Sequence, residues 1–324
     1  MLDEFYIEQI IKKKFPSKHP FFPTGIGDDA AVVKVNSNKL VVSCDSQVED
    51  VHFNLNYLSP EEVAFRALSV AISDLSAMGA RPKYFINSLL VPKNTKASFL
   101  NKLFNGFKRG CKFYNINLIG GNVSKSKSLV LDITVIGEVV ENKFKERFKS
   151  KEGDFIYVSG NIGDASRGLN ILKNKTTFSV GERRLIAKYK SPKAKVALGI
   201  FLGQQKDVTS MIDITDSLAL DLRRLLGPSS SKGATIVWED IPVLNIKNES
   251  LTTNTLMRCV LNGGDDYELL FTVKKNKAKF FENLCKKKNF KVYKIGIVNS
   301  QGKLSLAKGG RVLDLQVKGF IHKF

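Results

Sequence analysis

The chain has 324 residues, with 51 Lys and Arg against 31 Asp and Glu, and therefore a formal net charge of +20. Hydrophobic residues make up 43% of the chain, enough to bury a core, which excludes an intrinsically disordered protein. Its apolar runs are shorter than the roughly 18 residues of a membrane-spanning helix, and its first residues lack the basic and then apolar order of a signal peptide. The cysteines form no CxxC pair, which argues against a zinc ribbon or a disulfide scaffold. We predict a cytoplasmic protein that does not bind a membrane.

The positive charge is spread along the chain. Short lysine-rich runs at 12–14, 274–279 and 286–288 fall where surface helices and loops are predicted. A nucleic-acid interface needs Lys and Arg concentrated on one face, because clustered cations displace the counterions of the phosphates. The pattern therefore predicts solvated surfaces and no nucleic-acid partner.

The first half of the chain predicts one α+β domain, residues 1–148. The predicted elements are a short amphipathic helix (5–14), a buried strand (40–45), a helix (60–78), a strand (84–91), a helix (96–113) and two strands (116–121 and 129–139). The helix at 60–78 has the clearest signals. Ser59 and Glu62 can form a capping box around Pro60, and Gly79 follows its end.

The second half, residues 149–324, predicts a further mixed α/β domain after a polar crossover at 143–153. The predicted elements are a strand (154–160), a turn into a helix (161–173), a helix (191–204), a strand (210–215), a helix (216–226), a strand (267–273), a Lys-rich helix (276–288) and two strands (291–298 and 303–306).

The scarce carboxylates crowd beside glycines or at the ends of apolar runs. Each cluster alone also fits a simpler interpretation, such as a hairpin turn or a helix N-cap. His52, which follows one of the clusters, could likewise be only a hydrogen-bonded surface or core histidine. Asp74 lies close to the apolar stripe of its helix, where a buried carboxylate needs a cation or several donors. Together the clusters offer oxygen ligands without a Cys or His set, which indicates Mg²⁺. Because Mg²⁺ usually partners phosphates, the pattern predicts phosphoryl or nucleotide chemistry.

The familiar phosphate-binding loops are absent. The chain has no GxxxxGK[ST] P-loop, no protein-kinase catalytic loop and no dinucleotide fingerprint. We therefore expect several metal ions, instead of one Gly-rich loop, to hold the phosphates.

Stretches in order from residue 25 to residue 273 resemble the thiamine-monophosphate kinase family, within the superfamily of aminoimidazole ribonucleotide synthetase. They are GIGDDAAVV, CDSQVEDVHF, SDLSAMGARP, LIGGN, GDFIYVSGNIGDASRGL, MIDITDSLALDL and GGDDYELLFTV, and the ending KGFIHKF is similar too. Selenophosphate synthetase and the hydrogenase-maturation relative fit less well, because the chain lacks an N-terminal catalytic Cys and a C-terminal Cys.

The resemblance implies a two-domain aminoimidazole ribonucleotide synthetase-like fold, α+β and α/β, whose N-terminal sheets pair in a homodimer. It also implies direct transfer of the ATP γ-phosphoryl group to thiamine monophosphate, giving thiamine diphosphate, without a general base. By position, the Mg²⁺ ligands would be Asp29, Ser43, Cys44, Asp45, Asp74, Asn122, Asp213 and Asp216. ATP would meet Gly121, Asn122, Arg147 and Thr215. Thiamine monophosphate would meet His52, Asp265 and Phe320.

The chain departs from the family pattern at three positions. Asn122 stands where the family has Asp, and Ser217 and Asp50 stand where it has Gly. Because a neutral amide attracts Mg²⁺ less than a carboxylate does, we predict a working kinase with a raised Mg²⁺ requirement. The alternatives are another ATP-using enzyme of the superfamily, which activates an amide or formyl oxygen, and a non-catalytic relative that binds nucleotide or thiamine phosphate.

Overall fold

The computed structural model describes residues 23–24, 28–35, 38–227, 231–246 and 251–322. The chain forms two compact units. The N-terminal unit holds the described residues up to Phe144 together with Lys190–Ile200, and the C-terminal unit holds Lys145–Tyr189 and the described residues from Phe201 onwards. The predicted division at 148/149 lies four residues from this one, and the return of Lys190–Ile200 to the N-terminal unit was not predicted. The predicted helix at 5–14 lies outside the described residues.

The N-terminal unit is a five-stranded sheet with two long helices. Its elements are β1 (Ala31–Val35), β2 (Asn38–Val48), α1 (Pro60–Ala77), β3 (Ala80–Pro92), α2 (Ala97–Tyr114), β4 (Asn117–Ser126) and β5 (Val130–Val139). The strand order is β1-β2-β5-β3-β4, antiparallel except for the parallel pair β3 and β4. The predicted β-α-β-α-β-β order is therefore confirmed, with β1 added at one edge.

Helix α1 begins and packs as its sequence predicts. Ser59 Oγ accepts the N–H of Glu62, and the Glu62 carboxylate accepts the N–H of Ser59, so the capping box is present. The helix buries its apolar side against β2, β3 and β5 and packs along α2. Gly106 of α2 permits the close approach, because a Cβ there would lie 2.2 Å from the carbonyl oxygen of Glu61.

The C-terminal unit is built around a seven-stranded sheet. The elements that follow β5 are β6 (Phe155–Val158), α3 (Asp164–Asn174), α4 (Val180–Lys190), α5 (Val196–Gln204), β7 (Val208–Asp213), α6 (Leu218–Leu226), β8 (Gly233–Val237), α7 (Thr253–Asn262), β9 (Leu269–Val273), α8 (Ala278–Lys287), β10 (Tyr293–Asn299), β11 (Leu304–Lys308) and β12 (Arg311–Asp314). The sheet order is β12-β11-β8-β10-β6-β9-β7. Among the described strands of this sheet, β8 and β11 are the one parallel pair.

Several short elements of this unit were not predicted, namely α4, α7, β8 and β12. Each is no longer than 11 residues, so few turns or alternations are available to reveal a periodicity. Leu222 and Leu225 of α6 pack with Ile236 of β8 in the buried core of this unit. No helix in the described part of the chain is long and apolar enough to cross a bilayer.

Candidate functional site

Three oxygen-bearing side chains meet in the N-terminal unit. Asp29 precedes β1, Ser43 lies in β2 and Asp74 lies in the last turn of α1. Ser43 Oγ is 2.5 Å from Asp74 Oδ2 and 3.2 Å from the carbonyl oxygen of Asp29. A carboxylate oxygen of Asp29 and one of Asp74 lie within 4.8 Å of each other. Two carboxylates at this separation repel each other unless a cation compensates them, and an all-oxygen set suits Mg²⁺.

Successive side chains of β2 point to opposite faces of the sheet, which separates Ser43 from its neighbour Cys44. Ser43 and Asp45 share the face of the sheet that Asp74 approaches, whereas Cys44 points to the opposite face. There the Cys44 Sγ lies 2.8 Å from Asp132 Oδ1. Partial burial and the Asp132 carboxylate raise the pKa of this thiol. The Cys44 thiol is therefore turned away from the ligand cluster and held in its protonated form, which is a poor metal ligand.

Asn122 lies on a different strand from the other predicted ligands. In the sheet register Asn122 pairs with Ser88, Ser88 with Asp132, and Asp132 with Ser46 of β2. Three strand spacings of about 4.8 Å place β4 about 14 Å from β2. Within one chain Asn122 is thus too far away to share an ion with Ser43. Its neighbour Gly121 has φ +154°, and a Cβ there would lie 2.1 Å from the carbonyl oxygen of Asn87.

His52 follows β2 in a tight turn. Its Nδ1 accepts the backbone N–H of Val48 at 3.0 Å, so in the neutral imidazole the proton is on Nε2. Asp50, which replaces the family glycine, has φ +64°, a left-handed conformation that normally favours glycine. Its carboxylate accepts a hydrogen bond from the Asn54 amide, at 2.6 Å, which stabilises the turn. The turn thus retains a conformation suited to glycine although Asp occupies it.

In the C-terminal unit, three predicted site residues lie at the end of β7 and in the loop that leads to α6. Asp213 ends β7 and is buried, and Thr215 and Asp216 follow it. The Oδ2 of Asp221, a fully buried residue of α6, accepts three consecutive backbone N–H groups, those of Thr215 (2.9 Å), Asp216 (3.0 Å) and Ser217 (3.1 Å). Asp221, which the sequence analysis did not single out, therefore shapes this loop.

Arg224 is a second residue that the sequence analysis missed. Its guanidinium donates to Asp221 Oδ1 at 2.8 Å and also to Asp216 Oδ2. Burial acts to lower the pKa of Arg224, but Asp221 and Asp216 together raise it above its usual range. Asp216, a predicted metal ligand, is thus already paired with a fixed cation. The signal in the sequence was the spacing of Asp221 and Arg224, three residues apart on one helix.

The loop at 263–267 lies alongside this turn. The Asp265 N–H donates to the carbonyl oxygen of Thr215 at 2.8 Å, and the Tyr267 N–H donates to that of Ile214 at 2.9 Å. Gly264 permits the contact, because a Cβ there would lie 2.4 Å from the Thr215 carbonyl oxygen. The Asp265 carboxylate accepts the Tyr267 hydroxyl at 2.9 Å. The structure therefore brings together Thr215, predicted to meet ATP, and Asp265, predicted to meet thiamine monophosphate.

Two further residues with predicted substrate contacts, Phe320 and Arg147, lie in the same unit. The Phe320 N–H donates to the carbonyl oxygen of Asp216 at 3.4 Å. Arg147 lies between Glu146, whose carbonyl oxygen accepts from β7, and Phe148, whose N–H donates to Leu225 of α6. The C-terminal unit thus holds Thr215, Asp216, Asp265 and Phe320 near the start of α6. The neighbours of Arg147 instead contact β7 and the last turn of α6.

A buried carboxylate anchors the 263–267 loop to α3. Asp266 accepts the N–H groups of Gly163 (2.6 Å) and Ala165 (3.2 Å) at the helix start. Burial, opposed by these hydrogen bonds, raises the pKa of Asp266 to about 7. Nearby, Glu268 contacts Ser159 Oγ and Lys188 Nζ, both at 2.6 Å. These residues fix the loop that carries Asp265.

Comparisons with known proteins match both halves of the chain to known domain families. Residues 27–139 match the family model of the N-terminal domain of AIR synthase related proteins, and residues 151–309 match that of the C-terminal domain. The fold is also similar to that of HypE, a hydrogenase maturation protein of Escherichia coli, with a TM-score of 0.71, 17% identity and 98% of each chain covered. The chain thus has the two-domain architecture of the AIR synthase related proteins.

Relatives with higher sequence identity show which family of AIR synthase related proteins the chain belongs to. The thiamine-monophosphate kinase of Buchnera aphidicola subsp. Schizaphis graminum is 33% identical over 99% of this chain and 98% of its own. That of Bacillus subtilis is 32% identical, with 99% of each chain covered. A solved structure of AaThiL complexed with AMPPCP and TMP has a TM-score of 0.84 and 31% identity, covering 99% of this chain and 97% of that one. The chain belongs to the thiamine-monophosphate kinase family, whose members are phosphotransferases.

The pKa of Asp266 predicts a pH-dependent stability. Because the folded-state pKa, about 7, exceeds the ordinary value of 3.8, the folded state binds the proton more tightly. This contribution is complete below about pH 4 and is lost as the pH rises to about 7. Asp266→Asn, a neutral mimic, should therefore gain stability relative to the wild type between pH 4 and 8, on the order of 2 to 4 kcal/mol.

Denaturant unfolding at unit pH steps measures this difference. Asp240→Asn, at an exposed position, is the matched control and should follow the wild type at every pH. Parallel curves for Asp266→Asn and the wild type would show that Asp266 does not titrate in this range.

Proposed function

We propose that this chain transfers the γ-phosphoryl group of ATP to thiamine monophosphate and so forms thiamine diphosphate. The observation that carries the proposal is the similarity to thiamine-monophosphate kinases over 99% of the chain. AaThiL, similar over the same extent, has been solved in complex with AMPPCP and TMP. A cytoplasmic location stays a prediction.

The cluster of Asp29, Ser43 and Asp74 would hold Mg²⁺, with Asp45 on the same face of β2. Asp213, in the C-terminal unit, stays a predicted ligand. The fit rests on two close carboxylates around one hydroxyl, all hard oxygen donors. When bound, Mg²⁺ supplies charge neutralisation and alignment for the phosphates. Cys44 could contribute only its backbone oxygen to such a set, because its thiol faces Asp132.

The remaining residues would bind and orient the two substrates. Arg147 and Thr215 would contact ATP, and Asp265 and Phe320 would contact thiamine monophosphate from the neighbouring loops. His52 would present its Nε2–H as a donor to the same substrate. The attacking group is a phosphate oxygen that is largely ionised at neutral pH, because its second pKa is about 6. The reaction therefore needs no general base, and the chain's task is to bring two anions into line.

We also propose that the chain works as a homodimer. Strand β4 is exposed along nearly its whole length, and among the described residues it pairs with β3 alone. Such an edge pairs readily with another strand. In such a homodimer, the Asn122 of a second copy could lie near the metal ligands of the first chain. Within one chain, Asn122 is too far from Ser43 to share an ion with it.

The first experiment incubates the protein with Mg²⁺, ATP and thiamine monophosphate and measures thiamine diphosphate. Asp74→Asn should lower kcat about 100-fold or more, because a ligand carboxylate is lost from the site of charge neutralisation. Asp240→Asn, an exposed Asp, should retain full activity. Nucleotide binding without product in a single turnover would instead favour a non-catalytic relative. Turnover that needs a formylglycinamidine ribonucleotide would favour another enzyme of the superfamily.

Asn122→Asp tests the effect of the missing carboxylate on the Mg²⁺ requirement. A restored negative charge should attract Mg²⁺ more strongly, so the Mg²⁺ concentration for half-maximal activity should fall about 3- to 10-fold. Asn283→Asp, on the exposed side of α8, adds the same charge elsewhere and should leave that concentration unchanged. An equal Mg²⁺ dependence of Asn122→Asp and the wild type contradicts the role of Asn122.

Val123→Lys tests the dimer. Val123 of β4 is 67% exposed, and a buried lysine at a subunit interface should shift the protein to the monomer in sedimentation equilibrium. Val312→Lys is the matched control, because Val312 is 68% exposed on the edge strand β12. It should leave the assembly unchanged. A wild-type protein that sediments as a monomer would rule out the homodimer.

A further inference from the structure

The C-terminal segment 315–322 returns to the start of α6. The segment leaves β12 with Leu315, whose N–H donates to the carbonyl oxygen of Leu304 at 2.9 Å. Residues 316–318 are exposed, so little apolar burial holds the segment in place. Its position must therefore depend on a few specific contacts.

Ser217 makes the shortest of these contacts. Its Oγ donates to the carbonyl oxygen of Lys318 at 2.6 Å. The same Oγ accepts the N–H of Leu220 at 3.0 Å, as the N-cap of α6. The Ser217 side chain thus joins the first turn of α6 to the C-terminal segment, and it is fully buried.

The next two residues fit against the same surface. A Cβ on Gly319 would lie 2.9 Å from Ser217 Oγ and 2.9 Å from Leu220 Cδ2, so the segment already touches α6. The Phe320 N–H then reaches the carbonyl oxygen of Asp216 at 3.4 Å. Two consecutive loop residues, Asp216 and Ser217, therefore hold the backbone on both sides of Gly319.

The backbone at Ser217 does not need a glycine. Its φ is 176°, which is extended and open to any residue. Serine in place of the family's glycine therefore causes no backbone strain at this position. What the serine adds is a hydroxyl that donates one hydrogen bond and accepts another.

We propose that Ser217 is a positioning residue that fastens the C-terminal segment to the start of α6 and so sets the place of Phe320. The inference rests on the proposed function in one respect, that Phe320 contacts thiamine monophosphate. Without the hydroxyl, the Lys318 carbonyl oxygen loses its donor, and the segment keeps the longer hydrogen bond from the Phe320 N–H to Asp216. The segment then leaves the loop more easily. Phe320 then has to be ordered again each time substrate binds, which weakens the binding of that substrate.

The Ser217 hydroxyl caps α6 and also holds the Lys318 carbonyl oxygen, and Ser217→Gly distinguishes these two roles. Glycine is accepted at an N-cap nearly as well as serine, so α6 should keep its start. Ser179→Gly is the matched control, since Ser179 Oγ caps α4 in the same unit by accepting from Glu182. It removes an N-cap hydroxyl without touching the C-terminal segment.

The first readout needs no activity. Hydrogen exchange of the amides at 318–322 should speed up about 5-fold or more in Ser217→Gly, the factor that matches one hydrogen bond of about 1 kcal/mol. It should stay at the wild-type rate in Ser179→Gly. Unchanged exchange in Ser217→Gly would overturn the proposal, because the segment would then be held by other contacts.

The second readout is the KM for each substrate. Ser217→Gly should raise the KM for thiamine monophosphate about 5-fold while the KM for ATP stays within 2-fold. Faster exchange with both KM values unchanged would overturn the positioning role. If the wild type forms no thiamine diphosphate, the proposed function fails by itself. In that case exchange tests the fastening, and calorimetric titration with thiamine monophosphate replaces the KM.

Discussion

The loop between β7 and α6 depends on one buried carboxylate. Asp221 accepts three consecutive N–H groups and thereby turns the chain between β7 and α6. A buried carboxylate without such partners would cost several kcal/mol, so the turn and the charge stabilise each other. The turn directs the carbonyl oxygen of Thr215 to the Asp265 N–H and that of Asp216 to the Phe320 N–H. The positions of both proposed substrate contacts thus follow from Asp221.

The carboxylates of the two units differ in what already surrounds them. Asp216 is paired with the guanidinium of Arg224, so a metal ion at Asp216 has to compete with a fixed cation for the same oxygen. Asp29 and Asp74 instead bring two negative charges together around a hydroxyl. A cation at the proposed N-terminal site would relieve the repulsion between these two carboxylates.

Local patterns in the sequence predicted the long elements and the family, but not which ligands meet. The capping box of Ser59 and Glu62 involves neighbours in the chain, so its outcome could be predicted. Adjacent Ser43 and Cys44 suggested one run of ligands, yet the alternation of a strand sends their side chains to opposite faces. The separation of Asn122 from β2 follows from the strand order β1-β2-β5-β3-β4, which no single motif encodes. The spacing of Asp221 and Arg224 on one helix is visible in the sequence. The contacts of Arg224 with Asp216, and of Asp266 with Gly163 and Ala165, form only in the folded chain.

The net charge of +20 and the clustered carboxylates act over different distances. Scattered lysines create a field that draws anions such as ATP and thiamine monophosphate toward the protein, and salt screens it beyond about 8–10 Å. That field raises the rate of encounter but cannot align two phosphates. At the proposed site, substrate phosphates would approach Asp29 and Asp74, and two like charges 4 Å apart repel by about 4 kcal/mol near a protein surface. A cation bound between them would reverse the sign of this interaction. Under the proposed function, the Asp29 and Asp74 carboxylates, which by themselves repel both substrates, would fix the position of that cation.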